Sequence, residues 1–104
     1  MSVACRVGDV PEGAALRCTV DGRQVAVVNL GGGVFRAVDA ICSHAHAYLD
    51  EGTVDVEAGT VECPKHGSTF DLVSGRPRVL PATAPVQVFP VTVRDDEIHI
   101  EVTP

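Results

Sequence analysis

Two short boxes constrain this chain more than any other feature of its sequence: Cys42-Ser43-His44 and, after eighteen intervening residues, Cys63-Pro64-Lys65-His66. Each box offers one thiolate and one imidazole, the side chains that soft and borderline metals take. A fold that brings both boxes to one centre must make two loops meet. The segments on either side must then form a frame stiff enough to hold them. Pro64 and Gly67 suit a backbone that turns sharply in a confined space, because glycine reaches positive φ without a Cβ to clash.

The flanking sequence reads as β. Cys5 to Val7 stops at Gly8-Asp9, Ala15 to Val20 runs to Asp21-Gly22, and Arg23 to Leu30 is rich in β-branched residues. Asp-Gly between two such runs predicts a two-residue type I′ hairpin. Gly31-Gly32-Gly33 then leads into Val34 to Val38. Near the C-terminus, Val86 to Val93 and Ile98 to Val102 flank Arg94-Asp95-Asp96-Glu97 as a closing hairpin. In its last strand Ile98, Ile100 and Val102 share one face, and His99, Glu101 and Thr103 share the other, which predicts an exposed His99.

Between these runs, from Cys42 to Arg78, the sequence is loop-dense and punctuated by Gly52, Gly59, Gly67 and Gly75. Thr53 to Val56 and Thr60 to Glu62 form a short hairpin across Glu57-Ala58-Gly59, and Thr69 to Leu72 is a brief strand ending at Ser74-Gly75. There is no helical period, internal repeat or low-complexity linker. The expectation is one all-β domain over residues 1–104 with a loop-rich site region at about 41–78.

With 104 residues and a mass of 10.9 kDa, the chain fits one compact domain and leaves no room for a second, catalytic one. A formal charge of -6 disfavours nucleic acid and anionic lipid and favours a basic protein partner. No apolar run approaches the ~18 residues a membrane span needs, and the N-terminus lacks a signal-peptide pattern. The cytoplasm is the expected address. Four cysteines would suit a two-bridge framework in a secreted protein, but Cys42 and Cys63 stand beside histidines at ligand spacing. Cys5 and Cys18 read as buried thiols on neighbouring strands.

One thiolate and one imidazole from each of two loops is the ligand inventory of a Rieske cluster, in which two Cys hold one iron and two His the other. On its two boxes the chain resembles the Rieske ferredoxins. The likeness extends to Leu49-Asp50-Glu51-Gly52, to Phe70-Asp71 and Ser74-Gly75, and to Leu80-Pro81-Ala82-Thr83, which in that family forms a third loop over the cluster. The resemblance implies an all-β, Rieske-like antiparallel β-sandwich or barrel with a cluster-binding subdomain at about 41–78. It implies one 2Fe-2S cluster on Cys42, His44, Cys63 and His66. It also implies an electron carrier rather than an enzyme: a cytoplasmic monomer passing single electrons from a ferredoxin reductase to the terminal oxygenase of an aromatic-ring-hydroxylating dioxygenase system. Nucleic acid and membrane are not among its expected partners. Neutral imidazoles leave the His-bound iron less negative, so that iron is the one expected to be reduced.

Several alternatives stay open at this level. The spacing between the boxes is slightly longer than in such ferredoxins, which a longer turn at Val56 to Gly59 accommodates. His46 would replace His44 if the first box were C-x3-H. A Cys2His2 set also suits structural zinc, and a carrier for another redox or iron-sulfur assembly pathway fits the Leu80 to Thr83 stretch. The oxygenase itself needs two more His and a carboxylate, and only His46 and His99 remain. Relatives of the nitrite reductase small-subunit kind would require lost ligands, and all four are present.

Respiratory Rieske proteins carry an extra cysteine pair where Ala47 and Lys65 stand, and a tyrosine at the position of Phe70. Fewer hydrogen bonds to sulfur imply a potential toward the low end of the range, about -150 mV, with Ser68 acting mildly the other way. Asp50, Glu51, Asp55, Glu57 and Glu62 form either an acidic docking face or an ordinary solvated surface. Tyr48 either tunes the site or packs beside it.

Overall fold

The computed structural model describes residues 1–43, 46–65, 67–79 and 84–102. Among these the regular structure is β apart from two single 3-10 turns, Val7–Asp9 and Leu49–Glu51. Among the described residues no helix is long and apolar enough to cross a membrane.

The Asp-Gly turn forms as predicted. Asp21 and Gly22 both take positive φ, 50° and 82°, and join β2 (Ala15–Val20) to β3 (Arg23–Asn29) in an unbroken antiparallel register. β4 (Phe35–Asp39) pairs with the far side of β3. β9 (Val88–Phe89) completes this four-stranded sheet, in the order β2-β3-β4-β9. β3 is buried on both faces, so it reads as a near-continuous apolar run. Val25 and Val27 face one core while Ala26 and Val28 face another, the two-residue alternation of a strand.

A three-stranded sheet closes the first core. β1 (Ser2–Arg6) and β10 (Val91–Arg94) both pair with β11 (Glu97–Ile100), and the turn between β10 and β11 holds Asp95 and Asp96 at positive φ. Cys5, Cys18, Phe35, Phe89, Ile98 and Ile100 fill the space between the sheets. Two expectations are corrected in this sheet. The run from Val86 to Val93 is two strands, because Pro90 has no N–H to give to a ladder and the chain changes sheets there, β9 pairing with β4 and β10 with β11. His99 is buried, at 9% exposure. It sits on the central strand with Val3 and Thr92 directly opposite on either side, and the Glu97 carboxylate lies 3.6 Å from its Nε2.

The loop-dense middle of the chain is itself a small antiparallel sheet: β5 (Thr53–Asp55), β6 (Thr60–Glu62), β7 (Thr69–Asp71) and β8 (Pro77–Val79), in that order. The hairpin across Glu57-Ala58-Gly59 is present. β8 was not foreseen, since Pro77 breaks the pattern, and it lies at the sheet edge where proline is tolerated. The second core, with Val38, Ala40, Leu49, Val61, Phe70 and Leu72, joins this sheet to the inner face of β3 and β4.

Gly52 decides how closely the two halves of the site region approach. Its φ of -89° is open to any residue, but a Cβ there would land on the backbone carbonyl of Glu62 and press on Pro64 Cδ at 3.2 Å. Gly52→Ala is expected to cost about 1–3 kcal/mol, because backbone rather than a mobile side chain must yield. Urea unfolding of the two proteins measures this, and a variant as stable as the parent would show that the 52–62 contact is loose.

Candidate metal centre

Each box begins a hairpin loop that its cysteine closes. The Cys42 N–H donates to the Ala47 carbonyl at 3.0 Å, and the Cys63 N–H donates to the Ser68 carbonyl at 2.7 Å. The first loop is the tip of a ladder in which Ile41 bridges Tyr48 and the Leu49 N–H reaches the Ala40 carbonyl at 2.7 Å. The second prolongs the β6–β7 hairpin, with the Gly67 N–H on the Cys63 carbonyl at 3.1 Å and Gly67 at φ 74°. Extended, hydrogen-bonded backbone therefore leads into each box at its cysteine.

The thiols of Cys42 and Cys63 are 5% and 1% exposed and share one apolar cluster with Val38, Ala40, Leu49, Phe70 and Leu72. None of the four cysteines is in a disulfide. Two ionised sulfurs set into an apolar wall are costly unless a bound cation compensates them, and thiolates in a dry wall suit iron or zinc. The cysteine half of the expected ligand set therefore fits a metal group. His44 and His66 lie outside the described residues, as does the Leu80 to Thr83 stretch with Pro81. Its flank is nevertheless tied to the first box, for the Ser43 hydroxyl donates to the Ala84 carbonyl at 2.6 Å. His46 is exposed and Ser68 is buried.

Sequence reasoning missed a clamp beside the first box. Arg17, projecting from β2, lies 3.6 Å over the Tyr48 ring and forms ion pairs with Asp50 at 3.6 Å and Glu51 at 3.7 Å. Tyr48 thus packs beneath a guanidinium. The expected acidic face loses Asp50, which is tucked against Arg17 with its side chain only 10% exposed. Glu51, Asp55, Glu57 and Glu62 remain exposed. No spacing rule connects Arg17 with residues more than thirty positions away; the pairing follows from the fold.

Burial pushes the Asp50 carboxyl above its ordinary value, Arg17 pulls it back, and its Oδ1 has no hydrogen-bond partner. A carboxyl raised on folding favours the folded state most below its unfolded value of 3.8, and that contribution is lost as pH rises through the folded value. Removing Arg17 raises the carboxyl further and widens this window. Arg17→Ala should therefore cost about 1–2 kcal/mol near pH 7, counting the lost ring contact, and clearly less near pH 4. Unfolding curves at the two pH values test this, and an equal loss at both would remove Asp50 from the explanation.

An antiparallel β frame presenting two cysteine-headed hairpin loops over a shared apolar wall defines a small metal-cluster module. A family profile described as the Rieske [2Fe-2S] domain matches residues 1–90, and the chain belongs to that family, whose cofactor is a 2Fe-2S cluster. It is similar to the 3-phenylpropionate/cinnamic acid dioxygenase ferredoxin subunit of Escherichia coli strain K12, with 44% identity over 94% of this chain and 90% of that protein. Among solved structures it resembles the ferredoxin of carbazole 1,9a-dioxygenase from Nocardioides aromaticivorans IC177, with a TM-score of 0.90, 36% identity, and coverage of 94% of this chain and 93% of that one. It also matches a chain in a complex of reduced oxygenase and oxidised ferredoxin of carbazole 1,9a-dioxygenase, with a TM-score of 0.85, 34% identity, and coverage of 95% of this chain and 99% of that one.

Proposed function

We propose that the chain is the cytoplasmic one-electron ferredoxin of a multicomponent aromatic-ring-hydroxylating dioxygenase, taking electrons from a ferredoxin reductase and delivering them to the terminal oxygenase. In this reading residues 1–104 form one Rieske ferredoxin domain with its cluster-binding subdomain at about 41–78. Cys42 and Cys63 hold one iron and His44 and His66 the other. The group supplies a single reversible electron. The chain's own residues position and insulate it: Leu49 and Phe70, both fully buried, keep water from the sulfur side. Ser43 fastens the first loop to the segment after Pro81 through Ala84.

The observation that carries the reading is the pairing of two buried thiols, one at the head of each hairpin loop, in a chain 44% identical to a dioxygenase ferredoxin subunit along nearly its full length. The exposed acids Glu51, Asp55, Glu57 and Glu62 suit basic patches on the redox partners.

The test is iron and zinc analysis of purified protein with optical and EPR spectra, oxidised and after dithionite, followed by electron delivery from a ferredoxin reductase to an aromatic-ring dioxygenase. Two irons per chain, a rhombic signal of low average g and reductase-dependent turnover are expected. Zinc without iron after anaerobic reconstitution would leave a structural metal module. A reducible cluster that no aromatic oxygenase accepts would move the chain to another redox pathway.

A further inference from the structure

Two cysteines outside the metal centre stand face to face. Cys5 lies on β1 and Cys18 on β2, each 9% exposed, within the same buried cluster. The two thiols are close enough for the Cys18 sulfur to disfavour ionisation of Cys5. The two strands belong to different sheets and each is the edge strand of its own sheet, yet they run close alongside one another. No β ladder joins them. Near their ends the Ser2 hydroxyl donates to the Asp21 carboxylate at 2.9 Å. The sulfurs meet at a seam between two halves of the frame.

We propose that Cys5 and Cys18 form a dithiol site that a low-molecular-weight disulfide such as oxidised glutathione converts into an intramolecular disulfide, stitching β1 to β2. The chemistry is two successive exchanges. The Cys18 thiolate attacks one sulfur of the small disulfide, whose S–S bond breaks and releases one thiolate. Cys5 then gives its proton to solvent and attacks Cys18 of the mixed disulfide, expelling the second thiolate. The protein loses two electrons and two protons, and one small disulfide becomes two thiols.

The surroundings of both sulfurs slow the attack. Burial, then the Cys18 charge and the hydrogen bond to it, push the Cys5 thiol up to about 12. Cys18 is raised by burial and by Asp9 and Asp50, but the hydrogen bond with Cys5 opposes this. Cys18 leads the exchange and Cys5 resolves it, and the same disulfide forms with the roles reversed. High values make the pair slow to react, so exchange proceeds through local opening of the edge strand β1. Cys42 and Cys63 are ligands in the proposed holoprotein, which leaves Cys5 and Cys18 as its thiols.

The test uses cluster-loaded protein with excess oxidised glutathione, with cluster absorbance followed throughout. Alkylation of remaining thiols and tryptic mapping come next. Cleavage after Arg6, Arg17 and Arg23 puts Cys5 in residues 1–6 and Cys18 in residues 18–23, so the bridge appears as two linked peptides. The expected result is that linkage with the cluster retained and a melting temperature higher by roughly 5–15 °C, from closing a short loop of the unfolded chain. Cys5→Ser should stop at a glutathione adduct on Cys18.

Alkylation of both cysteines after prolonged exposure overturns the proposal. So does a stable adduct in the native chain, or linkage to Cys42 or Cys63. The cluster spectrum is recorded in the same sample, so a failed bridge with an intact spectrum is distinct from failure of the electron-carrier reading.

Discussion

Cys63→Ser yields a protein without its Rieske spectrum, holding little iron and delivering electrons to an oxygenase at least ~100-fold more slowly than the parent. Changing groups that merely orient metal ligands already costs 10–100-fold, and loss of a ligand sulfur exceeds that. The position allows no nearby substitute. Cys63 is 1% exposed, its N–H is committed to Ser68, and its carbonyl accepts from Gly67, so the second loop cannot slide to offer Lys65. Cys42→Ser should behave the same way.

The histidine pair is resolved by contrast. His44→Ala and His66→Ala should lose the cluster, whereas His46→Ala should keep the spectrum, because His46 is exposed and the Rieske pattern places the ligand two residues after the cysteine. Cys18→Ser, in the other buried cluster, serves as the control that retains iron. Iron content and the EPR signal check the series. A normal signal from Cys63→Ser would dismiss the proposed ligand set.

Much of this was legible from residue types whose effect is local. Asp21-Gly22 specifies a turn by backbone geometry alone, and the two cysteines of the boxes are the buried pair that a metal group would need. What the sequence did not disclose depends on distant neighbours. The alternation in β11 separated the Ile98 face from the His99 face correctly, yet it cannot say how well the second face is covered. Strand pairing on both sides places His99 on a central strand, where it is buried. Asp50 looked like one more surface acid until β2 placed Arg17 against it.

Gly52 was legible as loop punctuation, but its actual constraint is the close passage of the Glu62 backbone. Proline misled in both directions: Pro90 marks a change of sheet inside an apolar run, and Pro77 begins a strand at a sheet edge. In the site, the sequence proposes the ligand residues, and the structure describes only the cysteine half of that set. The sequence did not show that backbone hydrogen bonds tie Cys42 to Ala47 and Cys63 to Ser68.

Phe70 packs in the same buried cluster as both site cysteines, which leads to the second large effect. Phe70→Ala should destabilise the protein by about 3–5 kcal/mol, the range for emptying a large aromatic site in a core, against a total of about 5–15 kcal/mol for a domain of ordinary stability. Its melting temperature should fall by more than ~10 °C. Phe70 is completely buried on β7, directly opposite Val61 of β6, and shares its cluster with Cys42, Cys63, Leu49 and Leu72. The cavity therefore opens beside the two thiols.

Water entering there would raise the local dielectric and expose the sulfurs, so the cluster should also bleach faster in air than in the parent. Phe70→Leu keeps most of the volume and should lose less of both properties. Thermal melts combined with the rate of cluster bleaching distinguish the two roles. Parallel losses across Ala and Leu mean that Phe70 supports frame and cluster as one packed unit. A destabilised Phe70→Ala protein with unchanged bleaching would confine its role to the frame and require another residue to shield the sulfurs.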